Sequence, residues 1–164
     1  MDDDSFWALV DAARDAAGDD TEDRVSGLEQ VLLTLHADEV LAFQHAYDET
    51  LARAWRWDLW GAAYLMNGGC SDDGFRYFCD WLISEGESVF EAALDDPESL
   101  AAKTPGDEFS LEAFGYVAAE VYEQMTDNEM PRRKAAQPAS PAGKAWDESE
   151  LPACFPKLAA KFRG

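Results

Sequence analysis

Between Trp57 and Phe75 the chain gathers aromatic rings, a thiol, adjacent carboxylates and paired glycines: Trp57-Asp58-Leu59-Trp60-Gly61-Ala62-Ala63-Tyr64-Leu65-Met66-Asn67-Gly68-Gly69-Cys70-Ser71-Asp72-Asp73-Gly74-Phe75. Cys70 lies just ahead of an expected helix start, where the partial positive charge of the helix end lowers a thiol pKa and favours the nucleophilic thiolate. Asp72 and Asp73 oppose this, because negative charge beside a thiol favours its neutral form. A cysteine nucleophile also needs a base, and His36 and His45 are distant in sequence, so only the fold could bring one near. The same residues read better as a structural turn: Asn67-Gly68-Gly69 ends one helix, Ser71 caps the next, and the two acids suit its first turn.

Asp72 and Asp73, with Asp58 or the carbonyl oxygens of Asn67 to Cys70, would offer hard oxygen ligands to a divalent cation, but their spacing is not that of a calcium loop. The Glu-x-x-His pairs of a di-iron bundle and a Gly-Lys-Ser/Thr phosphate loop are both missing from the sequence. No cofactor or metal is therefore expected. Arg53 and Arg56 precede Asp58 among Trp57, Trp60, Tyr64, Tyr77 and Trp81. That set is either an ion pair buried in an aromatic core or a site where guanidinium groups hold an anionic or amide ligand over ring faces. His45, Asp48 and Glu49 share a helical face that reads as solvated.

The elements that must position these groups all have helical periods. Phe6, Leu9, Val10, Ala13 and Ala17 mark a first helix, capped by Asp4 or Ser5 and ended by Gly18. Val25, Leu28, Leu32 and Leu35 mark a second, and Phe43, Tyr47, Leu51 and Ala54 a third that opens at Asp38. Trp57, Trp60, Gly61, Tyr64 and Leu65 carry the rhythm on as an aromatic stripe of the kind more often found in a core. After Ser71 come Phe75, Phe78, Cys79 and Leu82, then a shorter helix with Val89, Phe90, Ala93 and Leu94 before Pro97. A last long helix turns Leu111, Phe114, Ala118, Val121, Tyr122 and Met125 inward. No stretch alternates with period two for long enough to make a strand, so the fold class is all-α.

The 164 residues suit one domain that buries roughly 70% of its unfolded surface. Five of the seven prolines fall between Pro131 and Pro156, so the expectation is a helical domain over 1–130 followed by an extended arm. Phe155, Leu158 and Phe162 predict a short terminal helix that docks the arm, residues 131–164, back on the body. Charge follows the same division: 31 acids and 6 bases in 1–130, net −25, against 3 acids and 7 bases in the arm, net +4. An acidic body repels phosphate backbones and anionic bilayers, which excludes direct nucleic-acid and membrane binding. The acidic start Met1-Asp2-Asp3-Asp4, the lack of a long apolar run and three unpatterned cysteines predict a cytoplasmic protein with reduced thiols.

The run from Trp57 to Phe75, continued by Tyr77-Phe78 and by Trp81-Leu82-Ile83-Ser84 with Gly86, resembles the bacterial domain-of-unknown-function family 4240. Phe6-Trp7, the turn Gly68-Gly69-Cys70-Ser71-Asp72-Asp73-Gly74-Phe75 and Glu91-Ala92-Ala93-Leu94 extend the likeness over about residues 4–127. Met130-Pro131-Arg132, Trp146-Asp147 and Phe155-Pro156 are similar to actinobacterial members. The resemblance implies domain boundaries and a prominent turn, and brings no activity with it. Taken together, the sequence predicts a small acidic binding module that meets a protein partner through the Trp57–Trp81 helix-turn-helix. The candidate contacts are Arg53, Arg56, Trp57, Asp58, Trp60, Tyr64, Asn67, Cys70, Ser71, Asp72, Asp73, Tyr77 and Trp81. The alternative is an enzyme that uses Cys70 or the Asp72/Asp73 pair at the same turn.

Overall fold

Apolar residues at helical spacing fold the chain into an all-α domain, seen here in a computed structural model that describes residues 1–18, 20–105, 108–131 and 138–162. The helices are α1 (Asp3–Ala17), α2 (Asp23–Leu32), α3 (Ala37–Ala54), α4 (Trp57–Asn67), α5 (Asp72–Ser84), α6 (Glu87–Asp95), α7 (Val117–Thr126), α8 (Leu151–Cys154) and α9 (Pro156–Phe162). The first cap is Asp2 rather than Asp4 or Ser5: its carboxylate accepts the Ser5 amide at 2.8 Å, so the helix opens further upstream than the apolar spacing alone indicates. His36 precedes α3, and its backbone amide donates to Glu39, closing a capping box one residue before the expected start.

At the centre lies α5, with Phe75, Phe78, Cys79, Trp81, Leu82 and Ile83 all buried. Against it pack Phe6 and Trp7 of α1, Phe43 and Tyr47 of α3, and Phe90 of α6, and ring centroids 5.0–5.3 Å apart join Phe6 to Trp7, Phe6 to Phe43 and Trp7 to Phe90. Such tilted and edge-on pairs add to what burial alone contributes.

The long last helix departs from expectation. Leu111 lies outside any helix, Glu112–Tyr116 is a 3-10 turn, and the α-helix proper begins at Val117. The physical reason is Gly115: a Cβ there would stand 2.7 Å from Asp80 Oδ1, so the turn presses its backbone against a buried carboxylate. A second 3-10 turn, Pro97–Ala102, follows α6 where Pro97 was expected only to halt a helix.

The arm returns to the body. Ala142 forms an isolated parallel bridge with Arg56, in which Trp57 N donates to Ala142 O and Ala142 N donates to Trp55 O, both at 2.9 Å. Helical structure resumes at Glu148, earlier than Phe155, because Pro152 occupies the first turn of α8, where its missing N–H has no partner to lose. Leu151 and Leu158 are fully buried. The Arg132-Arg133-Lys134 cluster lies outside the described residues.

Candidate functional site

The α4–α5 turn is built as its residues dictate. Gly68 takes the left-handed conformation, φ +69°, that ends α4, and its amide donates to Tyr64 O. Ser71 then caps α5, its hydroxyl accepting the Gly74 amide at 3.1 Å. Asn67 locks the neighbouring segment in place: its Nδ2 donates to Phe109 O at 3.1 Å and its Oδ1 accepts the Phe109 amide at 3.3 Å, as a paired backbone would. Trp60 Nε1 donates to Cys70 O at 3.0 Å and so ties the turn to α4.

An open cleft results, lined by Asn67, Gly69, Cys70, Ser71, Gly74 and Tyr77 together with Glu108 and Ser110, the last two beyond the reach of sequence reasoning. Asp72 and Asp73 are exposed on the first turn of α5. The Tyr77 hydroxyl hydrogen-bonds Glu112, which raises its pKa. Cys70 is half-buried, and its thiol is pushed up to about 11 by burial and by the negative charge of Asp72. At pH 7 only about one such thiol in ten thousand is ionised. Neither histidine lines this cleft: His36 precedes α3, and His45 faces a separate depression with Gln44, Asp48 and Glu123. Among the described residues no group of three or more His, Cys, Asp or Glu side chains could hold a metal ion.

The expected aromatic surface divides in two. Trp81 is a core residue, edge-on to Phe109 with centroids 5.0 Å apart, and does not belong to any surface. It sits in the last turns of α5, whose end is wholly buried. Trp57, Trp60 and Tyr64 are half-buried and are not the core face of α4, which is made by Leu59, Ala62, Ala63, Leu65 and Met66. With apolar residues on every side, α4 buries one face in the body and gives its aromatic face to the arm. Trp57 stacks on Trp60 (5.2 Å, 6°) and Trp60 on Phe75 (5.1 Å, 9°), while Trp146 stands edge-on to Trp57 and Trp60 at 6.0 and 6.4 Å. Trp146 Nε1 donates to Trp57 O at 2.6 Å.

The expected buried trio of Arg53, Arg56 and Asp58 does not form. Among the described residues Asp58 pairs with Arg56 alone, at 2.9 Å and with over a third of each side chain exposed. Arg53, the penultimate residue of α3, reaches instead to Glu91 of α6 at 2.8 Å. The buried charges lie elsewhere. Arg24 and Lys103 both contact Glu85 at 3.3 Å. Asp80, 2% exposed, accepts the Tyr47 hydroxyl at 2.6 Å with Arg76 Nε at 3.7 Å. Burial raises Asp80 to about 7 despite both partners. A lone acid within the apolar face of α5 was the signal available for it in the sequence.

Among the described residues no helix is long and apolar enough to cross a membrane. No curated protein and no solved structure matches this chain. The turn, its cleft and the aromatic face of α4 all fall within residues 1–124, which match the family described as Protein of unknown function (DUF4240), and the chain belongs to that family.

Proposed function

We infer that the protein is a small acidic interaction module that recognises a protein partner through the exposed part of the α4–α5 turn. The contacts are Asn67, Cys70, Ser71, Asp72, Asp73 and Tyr77, joined by Glu108 and Ser110. One observation carries this reading over an enzymatic one. The cleft at Cys70 contains an acid but no histidine, and its thiol is held far from ionisation, so neither nucleophile nor base is prepared there. A stiff turn with carboxylates on its rim suits association with a basic surface, for which complementary charge speeds encounter and selects partners. Nucleic acid is a poor partner for a body of net −25 over residues 1–130. Free Cys70, Cys79 and Cys154 support a cytoplasmic setting as part of the same proposal.

The test is affinity capture from the native lysate by wild type beside an Asp72→Asn/Asp73→Asn double variant, repeated at low and high salt. A discrete partner held by wild type at low salt and lost from the variant is expected. The same proteins recovered with both baits would overturn the reading. Alkylation of Cys70 against pH separates out the enzyme: the rate is expected to rise only toward pH 11, and full reaction at pH 6 would reinstate a nucleophile.

A further inference from the structure

The segment that leads into α7 is pinned to α4 and α5 at three points. Asn67 pairs with both backbone groups of Phe109, Leu111 N donates to Tyr77 O at 3.1 Å, and Gly115 lies against Asp80. Phe109, Leu111 and Phe114 are buried, whereas Glu108, Glu112, Ala113 and Tyr116 are exposed. Glu108 and Ser110 of this segment line the turn cleft, and Glu112 holds the hydroxyl of Tyr77, which lines the same cleft. Whatever frees the segment therefore reshapes the cleft.

The third pin depends on a proton. An ionised carboxylate has room for about four hydrogen bonds. Asp80 has the Tyr47 hydroxyl at 2.6 Å, while Arg76 Nε stands 3.7 Å away, buried and without a hydrogen-bond partner. On the third side the backbone of Gly115 presses on the carboxylate, a Cβ there falling 2.7 Å from Oδ1. The pocket thus fits the neutral acid and leaves the anion short of donors. The titratable and charged groups that face Asp80 are Tyr47 from α3, Arg76 and Cys79 from α5, and Glu112 from the 3-10 turn. α1 and α6 meet α5 through the rings of Phe6, Trp7 and Phe90. Of these walls the 3-10 turn is the one able to yield. Tyr47 is locked between Phe6 and Phe43, whereas the turn is five residues long and three of them are exposed.

We propose that Asp80 is a proton-controlled latch on residues 109–116, which holds the wall of the turn cleft in place while the acid is neutral and loosens it toward water when the acid ionises. An opened turn lets water or Arg76 complete the hydrogen bonds of the anion. Burial holds Asp80 at about 7 against an ordinary 3.8, so opening becomes easier as pH rises between these values and no easier above them. The effect of the latch on a partner rests on the reading given above, whereas the latch itself does not.

The experiment is native-state hydrogen exchange of the full chain between pH 5 and 8, at several denaturant concentrations below unfolding, with each rate corrected for the intrinsic effect of pH. Wild type is compared with Asp80→Asn and Tyr47→Phe. The wild-type amides of 109–116 are expected to exchange through a local opening that depends little on denaturant. Its equilibrium constant should rise by up to about tenfold per pH unit below pH 7 and level off by pH 8. In Asp80→Asn the rise should be absent. Tyr47→Phe takes a donor from the anion, so the carboxyl carbon resonance of Asp80 and the exchange plateau should both move to higher pH; this variant carries the test if Asp80→Asn fails to fold. Exchange of these amides that does not change with pH in wild type would overturn the proposal. So would a rise that survives Asp80→Asn, or a plateau that stays in place while the carboxyl resonance moves. Exchange of the segment with the full denaturant dependence of global unfolding would also overturn it, leaving Asp80 with an effect on overall stability only. No partner is added, so these outcomes judge the latch, and capture from the lysate judges the partner.

Discussion

Asp80 is the residue whose chemistry most governs the fold. It accepts the Tyr47 hydroxyl from α3 and bears the backbone of Gly115, so α3, α5 and the turn before α7 meet at one carboxylate. Its folded pKa of about 7 lies above the ordinary 3.8, so between these values the folded chain retains a proton that the unfolded chain has lost. Stability therefore falls as pH rises from about 4 to 7, by at most roughly 4 kcal/mol for a shift of this size. Asp80→Asn removes the effect. Melting curves at pH 4 to 8 should show wild type losing stability relative to the variant as pH rises, with the gap constant above pH 8. Self-repulsion among the surface acids is nearly common to both proteins and largely cancels in the difference. Parallel pH profiles would show that Asp80 does not titrate in this range. At this scale the sequence was least legible: an acid in an apolar stripe announces burial and Arg76 stands one helical turn before it, but the closer partner, Tyr47 of α3, depends on tertiary packing. The Arg53, Arg56 and Asp58 trio failed for the same reason, since neighbours in sequence need not face one another across a helix end.

At the scale of elements, helical spacing and caps carried most of the information. Ser71, Gly68 and Gly18 terminate or start helices as their types require, because these devices are local and need no tertiary partner. Ser71→Ala should cost about 1 kcal/mol, read as a lower denaturation midpoint at unchanged slope. An unchanged midpoint would remove the cap from the account of the turn. The 3-10 turns at Pro97–Ala102 and Glu112–Tyr116 were not legible, since each is set by what it packs against. The aromatic face of α4 was expected as an open recognition surface, with core packing the alternative, and the arm that covers it was missed for a related reason. Periodicity shows that a face is apolar, and only the path of the chain shows that the covering element is a short segment some 80 residues further on.

In the whole molecule the body and the arm are held together by Trp146, Leu151, Phe155, Leu158 and Phe162, which all pack on the core cluster. Large apolar side chains of this kind contribute roughly 1.5 to 3 kcal/mol each when fully buried. We propose that residues 131–164 stabilise the body, so truncation after Met130 should lower the melting temperature and expose apolar surface to a dye. An identical melting curve would make the arm a free appendage. The acidic balance and the composition break at Pro131 were legible as sequence facts, whereas the path of the arm across α4 required the fold. The central claim is that the α4–α5 turn associates with a partner and does not catalyse a reaction. It is tested most directly by placing a photoreactive phenylalanine analogue at Tyr77, on the turn cleft, and in a second protein at Leu33, exposed on another face. Irradiation in the native lysate should give a discrete crosslinked protein from position 77 and none of that mass from position 33. Matching patterns from the two positions, or no crosslink from position 77, would contradict the claim.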